Sequence, residues 1–328
     1  MPEASKLGET FGVPLSNRGL ADMIAQGAPL RGLRLVDQDC TGMDFRGARL
    51  IGVDARGARL QDARLDDTTW QACRLDVATL SGASAKRVRF IDSSLQGVDL
   101  SEVDLWRSTW IRVKAARTNF AHANLLRTSM MSVDLSDAAI KFATLEMILM
   151  RGCVLRGVDF RAAVCRATQL RGCDLRESVW AEAFLDQCGW LDVDARGVDF
   201  RALRAPAWST LRVQFDGACL RDAQLERASF ESASLTQADF CGAVLRRASL
   251  HGANARGVRM REAQLEYADL SHACLAQADF SHSVLTQTRL HGANTEGVNW
   301  SHANVGDMLG DDPTRRAAQM WEPKVLPE

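Results

Sequence analysis

The sequence predicts a repeat fold in which each five-residue unit contributes one large and one small side chain to a continuous interior. Of the 55 residues at every fifth position from Leu30 to Trp300, 45 are Leu, Ile, Met, Phe or Trp, and none is charged. Two residues earlier in each unit, from Ala28 to Val298, 49 of 55 are Ala, Val, Ser, Thr or Cys. Because charged residues make up 25% of the chain, 110 uncharged positions in a fixed five-residue register cannot arise by chance. Both sets of positions must therefore face inward. A period of five fits neither a helix nor a strand, which indicates a bend in every unit.

The three remaining positions of each unit carry Asp, Asn, Arg, Ser and Gly, which suit turns and contact with water. The units 238–242 (Ala-Asp-Phe-Cys-Gly) and 278–282 (Ala-Asp-Phe-Ser-His) show the pattern plainly. It resembles the pentapeptide-repeat family, whose unit reads A-(D/N)-(L/F)-(S/T/R)-G. The resemblance covers residues 28–305. It implies an all-β fold, a right-handed quadrilateral β-helix of about fourteen coils with four units per coil.

The two ends of the repeats carry signals for short capping helices. In the N-terminal region, residues 1–27, Ser16 or Asn17 can begin a helix that Gly27 ends. In the C-terminal region, residues 306–328, a second helix is predicted from Pro313 to Trp321, because proline is favoured at a first helical position. Each helix would cover an open end of the β-helix.

The repeat pattern is weakest at residues 201–212. Leu203 and Trp208 are large residues at small sites, Pro206 follows the large site of its unit, and Thr210 stands where a large apolar residue is usual. The pattern predicts a bulged loop or a local distortion, with register resumed at Val213. Two interpretations stay open here: a tolerated irregularity, or a loop that binds a partner.

Composition excludes several functional classes. The chain has 40 Lys+Arg and 41 Asp+Glu, a formal net charge of −1, so DNA binding is not expected. Its apolar runs are far too short to span a membrane, and the N-terminus lacks the pattern of a secretory signal. The nine cysteines form no CxxC pair, which favours free thiols and a cytoplasmic location.

No set of residues predicts catalysis, a cofactor or a metal ion. The sequence has no GxSxG, phosphate-binding loop or HExxH motif, so we expect a protein that is not an enzyme. Glu262, His282 and His302 are spaced by 20 residues and would share one outer column. Such columns arise freely on flat β-walls, and the sequence suggests no supporting ligands, so no metal site is predicted.

Two functions from different classes remain. The first is a rigid scaffold or adaptor that binds a partner protein of unknown identity. The resemblance extends to bacterial accessory proteins encoded beside type VI secretion spikes. The second is a DNA mimic that protects DNA gyrase or topoisomerase from inhibitors, as quinolone-resistance members of the family do. A DNA mimic needs continuous negative potential, yet residues 30–117 hold 15 Lys+Arg and 12 Asp+Glu.

Apolar residues at outward positions mark a candidate interface in the middle of the repeats. They fall on the wall of Leu105, on the next wall of Trp110, and at the corner before them. A contiguous apolar surface of this kind would serve a homodimer or a different protein. The alternative is a local distortion that turns some of them inward, since Ile148 also breaks the small-site rule. The candidate residues are Trp106, Ile111, Leu126, Met131, Phe142, Met147, Leu149, Phe184 and Leu191.

Overall fold

The computed structural model describes residues 16–311, which form a four-sided parallel β-solenoid with one short helix. Neighbouring coils pair residues that are 20 positions apart, as in Arg34 with Asp54 and Asp39 with Arg59. Equivalent pairs recur on every wall, because four five-residue units complete one coil. The predicted all-β repeat fold is confirmed.

The regular elements are short, since each wall is only one unit wide. The helix α1 spans Asn17–Ala25. The strands are β1 Leu30–Arg31, β2 Arg49–Ile51, β3 Thr69–Gln71, β4 Arg89–Ile91, β5 Thr109–Ile111, β6 Ser129–Met131, β7 Thr144–Glu146, β8 Leu149–Arg151, β9 Val164–Arg166, β10 Gln169–Arg171, β11 Phe184–Asp186, β12 Gly189–Leu191, β13 Ser209–Leu211 and β14 Ser229–Glu231.

The chain divides into two compact units, Met1–Phe184 (unit 1) and Leu185–Glu328 (unit 2). In unit 1, one parallel sheet runs in the order β1-β2-β3-β4-β5-β6-β8-β10, and β7 pairs with β9 on the preceding wall. In unit 2, β12, β13 and β14 pair in chain order. Each unit therefore stacks its coils in sequence.

The helix α1 begins where the sequence predicts. The Ser16 hydroxyl accepts a hydrogen bond from the Gly19 N–H at 3.2 Å, which caps one free backbone donor. Leu20 is buried, and the chain leaves the helix at Gly27, whose φ of 69° suits glycine. The helix predicted at Pro313–Trp321 lies outside the described residues.

The inward positions form the core of both units. Every large-site residue from Leu50 to Leu290 is buried, as is every small-site residue from Val53 to Thr288. Three tryptophans donate their indole N–H to a hydroxyl two residues earlier: Trp70 to Thr68 at 3.1 Å, Trp110 to Ser108 at 3.0 Å and Trp180 to Ser178 at 3.0 Å. A Ser or Thr at the small site thus satisfies the polar atom of a buried indole.

At residues 201–212, where a bulged loop or a local distortion was expected, the chain keeps the turn pattern of its neighbours. Trp208 is fully buried, and its ring centroid lies 4.7 Å from that of Trp190 and 5.5 Å from that of Phe215. The adjacent large sites hold only Ala205 and Thr210. Their small volumes leave the room that the tryptophan fills, so volume is conserved across the coil and register survives.

Candidate protein-interaction surface

Eight of the nine candidate residues lie in unit 1, and Leu191 lies in unit 2. In unit 1 the side chains of Met131, Phe142, Met147 and Leu149 are 45%, 52%, 46% and 50% exposed. Val164, which the sequence analysis missed, is 37% exposed on the same wall as Phe184. We define the apolar surface as the eight unit 1 residues and Val164: Trp106, Ile111, Leu126, Met131, Phe142, Met147, Leu149, Val164 and Phe184.

Strand register brings these residues close together. Ile111 is the ladder partner of Met131 on β5 and β6, and Ser129 is the partner of Leu149 on β8. Adjacent partners in a sheet are about 4.8 Å apart, so Ile111 and Met131 lie side by side on one wall. Residues that are far apart in the sequence are therefore neighbours on two adjoining walls.

The distortion considered as an alternative is absent. Ile148 is buried at a small site, while Met147 and Leu149 on either side of it stay half exposed. Met150 keeps its ladder partner Met130, so the strand does not slip. The apolar side chains of this segment face solvent while the units keep their register.

Two rings of the apolar surface carry cations against their faces. The guanidinium carbon of Arg107 lies 4.5 Å from the Trp106 ring centroid, and that of Arg87 lies 5.6 Å away. Such contacts fix the indole by cation–π attraction. The Lys141 ammonium lies 5.1 Å from the Phe142 ring centroid, and the His122 ring stacks on Phe142 at 5.5 Å. These rings are held in place while part of each remains exposed.

Six aspartates among residues 16–311 pair with an arginine two residues later in the chain. Arg161 pairs with Asp159 at 2.6 Å, and Arg56 pairs with Asp54 at 2.7 Å. The hydrogen bonds from Arg161 hold the pKa of Asp159 below its usual value. Fork-shaped contacts of this kind cancel charge locally.

The described residues show no cluster suited to a metal ion. His282 and His302 stack at 4.9 Å, but no group of three or more His, Cys, Asp or Glu side chains within residues 16–311 could hold a metal ion. Cys153 and Cys173 are free and buried, and each thiol donates to a backbone carbonyl, that of Met130 or Met150, at 3.6 Å.

Unit 2 carries a shallow depression of about 590 Å³ beside Pro206 and Tyr267. Arg246 pairs with Glu266 there at 3.3 Å, and Arg247 lies over the Tyr267 ring at 5.8 Å. Both arginines thus already contact a neighbouring side chain of the depression, and we assign no ligand to it. In the part of the chain that the structure describes, no helix is both long and apolar enough to cross a membrane.

Among solved structures, the chain is similar to HetL, a pentapeptide-repeat protein involved in heterocyst differentiation regulation from the cyanobacterium Nostoc sp. strain PCC 7120. The two are 21% identical over 89% of this chain and 95% of HetL, with a TM-score of 0.32. It is also similar to full-length QnrB1, a plasmid-mediated fluoroquinolone resistance protein, at 18% identity over 58% of this chain and 97% of QnrB1, with a TM-score of 0.32.

A pentapeptide-repeat protein from the Arabidopsis thaliana thylakoid lumen is 28% identical over 30% of this chain and 74% of its own length, with a TM-score of 0.21. No curated protein matches the chain. The family model described as pentapeptide repeats matches more than half of the sequence, over residues 28–69, 71–107, 141–176, 212–247, 223–262, 243–281 and 263–299. With these matches and the five-residue register of the core, the chain belongs to the pentapeptide-repeat family.

Proposed function

We propose that this protein is a non-enzymatic scaffold or adaptor that binds a partner protein through the apolar surface of unit 1. The observation that carries the proposal is the clustering of exposed apolar side chains, with Met131, Phe142, Met147 and Leu149 each about half exposed on adjoining walls or the corner beside them. Soluble proteins seldom expose contiguous apolar patches beyond a few hundred Å² unless they bind something. Methionine and tryptophan also suit an adaptable interface.

The fold supports binding more than catalysis. Each coil is narrow and its interior is filled by two side chains per unit, so the described walls hold no deep apolar cavity for a substrate. The ladder of unit 1 keeps the outward side chains at fixed spacings, which favours a preorganised interface.

Replacing the centre of the apolar surface should abolish partner capture and leave the fold intact. The variant is Trp106→Gln with Met131→Gln and Met147→Asn. Asparagine suits position 147, where φ is 53°. All three side chains face outward, so the melting temperature should change little. Quantitative mass spectrometry of cross-linked complexes would measure capture, and light scattering would measure oligomeric mass.

The control places asparagine at two exposed apolar residues that do not belong to the apolar surface, Val77→Asn in unit 1 and Tyr267→Asn in unit 2. The control should capture the same proteins as the wild type. The proposal is wrong if the first variant folds and keeps both its captured proteins and its oligomeric mass.

The family resemblance to accessory proteins of type VI secretion makes a spike protein one specific candidate partner. Co-purification of the wild-type chain with a spike protein, lost in the triple variant, would support that assignment. A partner of another class would leave the scaffold function standing.

The competing function is a DNA mimic that protects gyrase. A mimic needs unpaired carboxylates, yet arginines pair with Asp44, Asp54, Asp159 and Asp199 at 2.6 to 2.7 Å. We therefore expect no protection in a gyrase supercoiling assay with a quinolone. Preserved supercoiling at a stoichiometric amount of this protein would favour the mimic over the scaffold.

A further inference from the structure

The apolar surface lies within a region of excess positive charge. The segments 102–112, 122–132, 142–152 and 162–172 form the two walls and corners that carry most of it. They contain six arginines and three carboxylates, Glu102, Asp104 and Glu146. Asp104 is already paired with Lys86 at 3.4 Å. The chain as a whole is almost neutral, so this excess is local.

Five of those arginines form no ion pair with a carboxylate among residues 16–311. The sixth, Arg112, is held by Asp92 at 2.6 Å. Elsewhere in unit 1 the arginines of Asp-x-Arg turns are paired, as in Arg161 with Asp159 and Arg176 with Asp174. The five are Arg107, Arg127, Arg151, Arg166 and Arg171.

These arginines border the exposed apolar side chains directly. Arg127 follows Leu126 in the chain, and Arg151 is the ladder partner of Met131. The guanidinium carbon of Arg107 lies over the Trp106 ring. A ligand seated on the apolar side chains would therefore meet guanidinium groups along its edges.

Resting on the function proposed above, we infer that the apolar surface binds an acidic amphipathic segment of a partner protein. Such a segment presents apolar side chains to Met131, Met147 and Leu149, and its flanking carboxylates meet the free arginines. Arginine forms strong bidentate hydrogen bonds with carboxylates. The five arginines around the apolar surface form no such bonds with residues 16–311, so they are available to a ligand. Opposed charge around an apolar centre is the usual complement of a specific interface.

A second copy of this chain fits the surface poorly. A two-fold contact places the same patch on both sides, so Arg127 and Arg151 would face arginines from the other copy. Like charges brought together in this way oppose association. Single-stranded nucleic acid also fits less well, because three of the four residues that are about half exposed, Met131, Met147 and Leu149, offer no ring for base stacking.

The test uses two synthetic 18-residue amphipathic peptides with identical Leu and Met faces, flanked by Glu in one and by Lys in the other. Fluorescence anisotropy would measure binding to the full chain at low and high salt. We expect the Glu peptide to bind at least ~10-fold more tightly than the Lys peptide at low salt, with a smaller ratio at high salt. The triple variant described above should bind neither peptide.

Charge reversal then isolates the arginines. Arg127→Glu with Arg151→Glu and Arg166→Glu should reverse the preference toward the Lys peptide. The control, Arg74→Glu with Arg117→Glu and Arg256→Glu, changes the net charge equally. These arginines lie outside the apolar surface and form no ion pair with residues 16–311, so this variant should keep the wild-type preference.

Several results would overturn the inference. Equal binding of both peptides, or an unchanged preference after reversal at Arg127, Arg151 and Arg166, would remove the role of charge. A dimer in light scattering that the apolar triple variant dissociates would assign the surface to a second copy. Binding to phosphatidylglycerol vesicles, with no binding of either peptide, would assign it to lipid. If neither peptide binds while the triple variant still loses its captured proteins, the scaffold function stands and the acidic segment is wrong.

Discussion

Leu155→Asp is expected to destabilise unit 1 by about 3 kcal/mol or more, because it places a carboxylate without a partner in the solenoid interior. Leu155 is fully buried, and its backbone N–H donates to the Asp174 carbonyl of the next coil at 2.7 Å. The chain cannot turn the new side chain outward without slipping by one residue. That slip would bury the neighbouring outward residue Arg156. Chemical denaturation followed by circular dichroism would measure the loss.

Ala139→Asp provides the matched control, because it adds the same carboxylate at an exposed outward position. Asp159 occupies the equivalent position one coil later. This variant should unfold within about 0.5 kcal/mol of the wild type. A cooperative transition for Leu155→Asp at the wild-type midpoint would contradict the inward assignment.

Trp208→Ala is expected to destabilise unit 2 by about 3–5 kcal/mol, the usual cost of truncating a buried tryptophan. Its ring contacts those of Trp190, Phe215 and Phe230, with centroids 4.7, 5.5 and 5.9 Å away. The small neighbours Ala205 and Thr210 cannot fill the space that the indole leaves. Thermal melting with fluorescence detection would report the change.

Trp208→Phe is the informative comparison for this site. The buried indole nitrogen of Trp208 has no hydrogen-bond partner, so phenylalanine removes an unsatisfied donor while keeping most of the ring contacts. We expect it to cost clearly less than the alanine variant. Similar stability for Trp208→Ala and the wild type would show that the ring does not fill this coil.

The five-residue period predicted most of the fold because the uncharged positions of each unit are the positions whose side chains are buried. One large and one small uncharged residue per unit can keep register only if both face an interior, and residues such as Leu155 and Val158 do so. The helix near Ser16 was also predictable, since its capping hydroxyl and terminal glycine act locally. These features depend on single residues or on their immediate neighbours.

The course of residues 201–212 could not be predicted from a rule applied one site at a time. Trp208 breaks the small-site rule and Thr210 breaks the large-site rule, but the two departures compensate within one coil. Good packing requires that the summed volume of the inward side chains of a coil fill its interior. A residue of unusual size therefore has to be considered together with its neighbours in the same coil.

The candidate surface was only partly predictable. Outward apolar residues such as Met131 and Leu149 follow from register, whereas the absence of ion pairs around them does not. Arg156 pairs with Asp174 on the next coil at 2.6 Å. Arg166 occupies the same position of the unit two units later, but it pairs with no carboxylate among residues 16–311. Pairing depends on side chains 18 to 20 residues away and on their rotamers, which a repeat pattern does not specify.

The 20-residue ladder also bears on how each unit folds. Pairs such as Arg34 with Asp54 and Asp134 with Val154 close loops of the same modest length, whichever coil is added. The entropy lost on loop closure is therefore similar at each step, and it does not grow with the length of the unit. Although the fold is all-β, its contacts are local for a chain of this size, which favours nucleation at any coil followed by propagation to its neighbours.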